Sequence, residues 1–188
     1  MPKINGNEIR IGNVIEHNGS IWTAVKVDHV KPGKGGAFAQ VEMRNIRNGS
    51  KLNERFRSAD KVEKVRLEQK NQQFLFEANG MLTFMDTDNY EQFDLPSEIL
   101  GNLRPLLQDG MVAVVEYYEN EALNVTLPQK VNCKVVETEP VLKGQTASSS
   151  FKPALLDNGM KVMVPPFINQ DENILINTET LEYSERAP

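Results

Sequence analysis

The residues with the most to offer chemically run His29-Val30-Lys31-Pro32-Gly33-Lys34-Gly35-Gly36-Ala37-Phe38, with Lys34 held among three glycines. Gly33, Gly35 and Gly36 lack a Cβ, so the backbone there can take positive φ and come close to another surface. Pro32 fixes its own φ and pushes Lys31 toward extended conformations. Such a tip carries no apolar group to bury, so Lys34 is expected to project as an exposed ammonium, a probe and not a pocket. A nucleotide-binding P-loop is excluded on three counts. Asp28 stands where the first glycine belongs, Gly35 follows the lysine in place of Ser or Thr, and a strand pattern follows where a helix is required.

Other chemistries find little support. His17 and His29 are the only histidines and sit in no HExxH or Cys/His constellation. His29 ends a strand beside the loop and is expected to be a surface or packing residue. Cys133 is the single cysteine, so no intrachain disulfide or cysteine zinc cluster can form. Its neighbours Val131, Val135 and Val136 predict a small core residue. Counting from Asp86 as a first calcium ligand, Glu91 falls where glycine is required and Ser97 where glutamate is required. Asp86, Asp88, Glu91 and Asp94 are therefore expected to form a solvated acidic face. With no readable nucleophile–base pair, the expectation is no enzyme, no cofactor and no metal.

Charge separates along the chain. Residues 1–64 hold 12 Lys/Arg against 7 Asp/Glu, a net of +5; residues 65–128 hold 3 against 11, a net of −8; residues 129–188 hold 6 against 8, a net of −2. A basic first third suits a polyanion, and an acidic middle would avoid phosphate or face a basic protein. Lys26, Lys31, Lys34, Arg44, Arg47, Lys51, Arg55 and Arg57 supply a phosphate-gripping set. Of the nearby aromatics, Trp22 and Phe56 read as core and Phe38 as free to stack, which suits backbone contact more than base reading. No apolar run is long enough for a membrane helix, and the first residues lack the apolar core of a secretory signal. A reducing cytoplasm is the expected setting.

Strand signals dominate the elements that must carry the loop. Alternating runs at Asn13–His17, Ser20–Val30, Ala37–Asn45, Lys51–Phe56 and Lys64–Leu67, with turns at Asn18-Gly19 and Asn48-Gly49, predict an SH3-like barrel over residues 1–64. A second set, Gln72–Ala78, Met81–Asp86, Tyr90–Leu95, Met111–Tyr118 and Ala122–Leu127, predicts an OB-type barrel over residues 65–128. It includes a short helix from Pro96 to Leu103, capped by Ser97 or Asp94. Val131–Glu137, Phe151–Leu156, Lys161–Val164, Asn173–Asn177 and Glu182–Ser184 predict a second OB barrel over residues 129–188. The fold class is all-β.

The loop Pro32–Phe38, read with three further stretches, resembles bacterial elongation factor P. The stretches are Phe84-Met85-Asp86-Thr87-Asp88-Asn89-Tyr90-Glu91-Gln92, Val136–Gly144, and Lys152-Pro153-Ala154 with Val162-x-Val164-Pro165 and Glu182-Tyr183. They span the chain in order. The resemblance implies three barrels in an L shape, the first of KOW type. It also implies a monomeric factor that binds ribosomal RNA and proteins between the peptidyl-tRNA and exit sites and relieves stalling at consecutive prolines. Lys31, Pro32, Gly33, Lys34, Gly35 and Gly36 would then reach the peptidyl-tRNA acceptor end in the peptidyl-transferase centre. Many relatives carry an added group such as β-lysine on the lysine that matches Lys34, so a lysine-modifying enzyme is an implied partner. Gly144, Gln145 and Thr146 match an exit-site codon loop, with Gln145 in place of the usual aspartate: hydrogen-bonding capacity is kept and charge is lost. Tyr183 and Arg186 match a C-terminal pair that could touch RNA, though for Tyr183 packing on its own barrel is an even alternative.

Two rivals remain on the residues alone. A general single-stranded nucleic-acid binder built of OB barrels would need basic grooves in the later domains, which are net negative. A protein-binding adaptor would use the acidic middle.

Overall fold

A computed structural model of the chain describes residues 2–141 and 150–188. Its strands form three sheets of six, five and five strands. By backbone proximity the chain divides into two compact units, Met1–Glu68 with Tyr117–Leu123, and Gln69–Glu116 with Asn124–Pro188.

The first sheet contains β1 (Lys3–Asn5), β2 (Val14–His17), β3 (Ser20–Val30), β4 (Phe38–Asn45), β5 (Lys51–Arg57) and β6 (Lys61–Lys64), in the spatial order β1-β6-β2-β3-β4-β5. Alternation decides its faces. Ala39, Val41 and Met43 of β4 turn inward and join Ile9, Ile15, Ala24, Phe56 and Val62 in one buried cluster, with Trp22 and Leu52 packed at its margin. The partners of β4 residues facing outward include Arg57, Arg55, Asn53 and Lys51 of β5. In β3, Val25 is an extra residue: Ala24 pairs with Met43 and Lys26 already pairs with Glu42. Such a bulge bends its strand and increases the local right-handed twist.

Gly6 shows how tightly this barrel closes. It is buried, its N–H donates to the Asp60 carbonyl at 2.9 Å, and a Cβ there would lie 2.3 Å from the Arg57 carbonyl oxygen and 3.0 Å from Phe56 Cβ. Backbone cannot yield as a flexible side chain can. Gly6→Ala should therefore destabilise the first barrel by about 1–3 kcal/mol, the usual cost of overpacking, read as a lower urea midpoint by Trp22 fluorescence.

The second sheet holds β7 (Glu68–Ala78), β8 (Met81–Asp86), β9 (Gln92–Pro96), β10 (Val112–Tyr118) and β11 (Glu121–Thr126), in the order β11-β10-β7-β8-β9. The third holds β12 (Lys130–Thr138), β13 (Lys152–Leu156), β14 (Lys161–Val164), β15 (Asn173–Asn177) and β16 (Glu182–Arg186), in the order β14-β13-β12-β15-β16. Numbered within each sheet, both orders are 3-2-1-4-5. Both first strands also slip register against the second, at Leu75 and at Val136. A long first strand, kinked by a bulge, can serve both halves of a curling sheet: β12 pairs with β15 through Lys130–Lys134 and with β13 from Val135 onward. Two sequences without visible identity thus share one topology.

Several expectations needed correction. A strand at Lys3–Asn5 was not expected, and the last strand of the first sheet lies at Lys61–Lys64 instead of Lys64–Leu67. The segment Ser97–Leu106 forms 3-10 turns broken at Gly101 (φ +51°). Pro96 stands at its N-cap, and neither Ser97 nor Asp94 caps it with a side-chain hydrogen bond. Asp94 instead accepts the Thr83 hydroxyl at 2.7 Å.

Candidate functional site

Strands β3 and β4 carry the glycine loop as an outstretched hairpin. The last ladder pair is Val30 with Phe38, and all six residues from Lys31 to Gly36 are exposed. Gly35 adopts φ +111°, a backbone that L side chains rarely take, and nothing lies within 4 Å of a Cβ built at Gly33 or Gly36. The Ala37 carbonyl closes the loop's C-terminal limb by accepting both the Ser58 N–H at 3.0 Å and the Ser58 hydroxyl at 2.9 Å. Lys34 is exposed, and among the described residues it has no ion-pair or hydrogen-bond partner.

The first compact unit presents its cations in two conditions. Lys26 pairs with Asp28 at 3.6 Å, Lys51 with Glu42 at 3.6 Å and Arg47 with Glu119 at 3.5 Å. Lys31, Arg44 and Arg57 have no ion-pair partner among the described residues. The Arg55 guanidinium lies 4.1 Å from the Phe38 ring centroid, so one face of the aromatic expected to stack on a ligand is already covered. Exposed pairs such as these are worth little in water and exchange readily for phosphate. His29, at the hairpin's base, has its Nε2 3.4 Å from Arg10 Nη1. Trp22 and Phe56 are packed with the core, as expected.

Gly144, Gln145 and Thr146 lie outside the described residues. Tyr183 is half-buried, and that burial pushes its hydroxyl's pKa up. Arg186 is occupied: its Nε donates to Glu172 Oε2 at 3.2 Å, its Nη2 donates to the Phe167 carbonyl at 2.9 Å, and the guanidinium stacks 4.8 Å from the Phe167 ring centroid. Cys133 is buried, and desolvation pushes its thiol up to about 11. The reactive thiolate is therefore scarce at neutral pH.

Asp86 differs most from its expected place on a solvated face. It is buried at 8 % exposure. Its Oδ1 accepts the Asp88 N–H at 2.8 Å and the Asn89 N–H at 3.3 Å, and its Oδ2 accepts from Gln72 Nε2 at 3.3 Å. Those donors, the Asp88 N–H foremost, hold its pKa below the ordinary carboxylate value against the opposing effect of burial. A carboxyl whose folded pKa is lowered contributes stability above its unfolded pKa and loses it as pH falls through the folded value. The second sheet should thus weaken as pH drops below about 4, and Asp86→Asn should flatten that pH dependence in urea titrations. The signal was legible as an Asx turn, aspartate followed by turn residues that offer N–H groups two and three positions on.

A hairpin that holds a cation away from a KOW-type sheet, followed by two sheets of OB strand order, is matched along its length. Residues 5–62 match the elongation factor P (EF-P) KOW-like domain, residues 67–125 the EF-P OB domain, and residues 131–186 the elongation factor P C-terminal domain. The class is that of the translation elongation factors. Elongation factor P of Ruegeria sp. (strain TM1040) is 78% identical over 187 residues, covering 100% of both chains. That of Parvibaculum lavamentivorans (strain DS-1 / DSM 13023 / NCIMB 13966) is 61% identical, covering 98% of this chain and 99% of its own. The chain belongs to the elongation factor P family. Among solved structures, a eukaryotic translation initiation factor 5A from Methanococcus jannaschii matches 67% of this chain and 92% of its own at 25% identity, with a TM-score of 0.47.

Proposed function

We propose that the chain binds the ribosome between the peptidyl-tRNA and exit sites and promotes peptide-bond formation at consecutive prolines, with Lys34 steadying the peptidyl-tRNA acceptor end. The observation that carries this reading is Lys34 itself, exposed and unpartnered among the described residues at the tip of a clamped hairpin. Lys31, Pro32, Gly33, Gly35 and Gly36 shape that tip, and the cations of β3, β4 and β5 grip RNA phosphate behind it. Proline attacks poorly, and its constrained ring lets the peptidyl-tRNA end drift from attack geometry. Restoring geometry requires no acid, base or nucleophile from the factor; positioning effects reach about 7–11 kcal/mol in favourable systems. The factor therefore acts without being an enzyme.

In the same reading, the chain works as a cytoplasmic monomer of three barrels, at residues 1–64, 65–128 and 129–188. A lysine-modifying enzyme acts on Lys34, which is exposed. Gly144, Gln145 and Thr146 approach the exit-site codon. Tyr183 and Arg186 border RNA, and Arg186 must exchange Glu172 for phosphate to touch it. No helix among the described residues is long and apolar enough to cross a membrane. The test is reconstituted synthesis of a Pro-Pro-Pro peptide with and without the chain. Faster synthesis supports the reading; an unchanged rate on ribosomes that bind the chain overturns it.

A further inference from the structure

The outer face of β7, β8 and β9 remains unused by that function. In an OB fold this is the side that ordinarily takes a nucleic-acid strand, through basic and aromatic groups. Here it forms an open cleft of about 440 Å³ whose lining includes Phe76, Met81, Thr83, Gln92 and Asp94. Phe76 is 51 % and Met81 37 % exposed, although both are large and apolar. Phe76 sits opposite Thr83 across the β7–β8 ladder, and Thr83 sits opposite Asp94 across β8–β9, so the three share one face. The Thr83 hydroxyl donates to Asp94 Oδ1 at 2.7 Å and fixes the carboxylate at the cleft. No Lys or Arg lines it.

These groups select against phosphate and for its opposite. A carboxylate at the edge of a patch of exposed apolar side chains fits a lysine or arginine, whose methylene stem packs on Phe76 and Met81 while its cationic head meets Asp94. The net charge of −8 over residues 65–128 extends the same preference around the cleft. We propose that this face docks a basic segment of a ribosomal protein, which would hold the middle of the factor while the first barrel grips RNA. The proposal rests on the ribosome-binding reading above.

The test places the photoreactive residue p-benzoylphenylalanine at position 76 of the full chain and irradiates it with purified ribosomes after confirming co-sedimentation. The expected product joins position 76 to a ribosomal-protein peptide with lysine or arginine beside the linked residue. Asp94→Asn keeps an oxygen for Thr83 and removes only the charge, so the fold is preserved. It should lower the cross-link yield by about two- to fivefold, the range of a partly exposed ion pair. A chain that sediments with ribosomes yet cross-links only to RNA, to a non-basic peptide, or to nothing overturns the docking surface alone. An equal yield from Asp94→Asn also overturns it. A chain that does not sediment with ribosomes overturns the ribosome-binding reading and the docking surface together.

Discussion

Lys34→Ala should lower the rate of Pro-Pro-Pro synthesis at saturating factor by at least tenfold, and the urea unfolding curve should not move. Both halves follow from the same observation. The side chain is exposed, and among the described residues no ion pair or hydrogen bond depends on it, so the folded state loses nothing when it goes. A tenfold change corresponds to about 1.4 kcal/mol of barrier, a modest share of what positioning can supply. Ribosome binding should weaken far less, because Arg44, Arg57 and the exchangeable pairs of β3, β4 and β5 remain to hold phosphate. Lys34→Arg separates charge from amine chemistry: it keeps a cation but removes the primary amine that a modifying enzyme would extend. Activity of Lys34→Ala equal to the parent chain would remove the hairpin tip from the mechanism.

Phe84→Ala should have the largest effect on stability. Phe84 is fully buried in β8, with ring centroids of Phe74 at 5.5 Å and Phe93 at 5.9 Å. Truncating such a ring removes its transfer energy and leaves a cavity, together about 3–5 kcal/mol. Against total stabilities of about 5–15 kcal/mol for a folded domain, that is a large fraction. With a urea slope near 2 kcal/mol/M, the transition should fall by about 2 M when followed by far-ultraviolet circular dichroism. Trp22, the single tryptophan, lies in the other compact unit, so the tryptophan transition should hold its midpoint. A loss below 1 kcal/mol would mean that the surrounding rings close the gap.

What the sequence disclosed follows how local the governing interaction is. Strands β3, β8, β14 and β15 fall at their expected residues, because alternation and flanking turns are written into the segments themselves. Lys3–Asn5 carries almost no pattern and becomes a strand only by pairing with Lys61–Glu63, nearly sixty positions away in the chain. The same pairing draws the end of the sheet back from Leu67, and Val65 instead donates its N–H to the Val14 carbonyl at 2.8 Å as the ladder ends. The Lys34 tip was legible because glycine and proline act on their own backbone. Ser58 was not: its hold on Ala37 across 21 positions exists only once β5 is folded. Arg186 appeared available in sequence for the same reason, since neither Glu172 nor the Phe167 carbonyl is a near neighbour in the chain.

The extra residue Val25 makes the cationic arm a lever whose aim is set at its root. Beyond it, Lys26 to Val30 extend roughly 16 Å at a strand's rise per residue. A change of direction on the order of 20°, comparable to the angle between neighbouring strands, would swing the far end sideways by about 6 Å. Shortening β3 by that one amino acid would leave every group at the tip intact and point them in another direction. Reach and direction are encoded separately, the first in the glycines and the second nine residues upstream of Lys34.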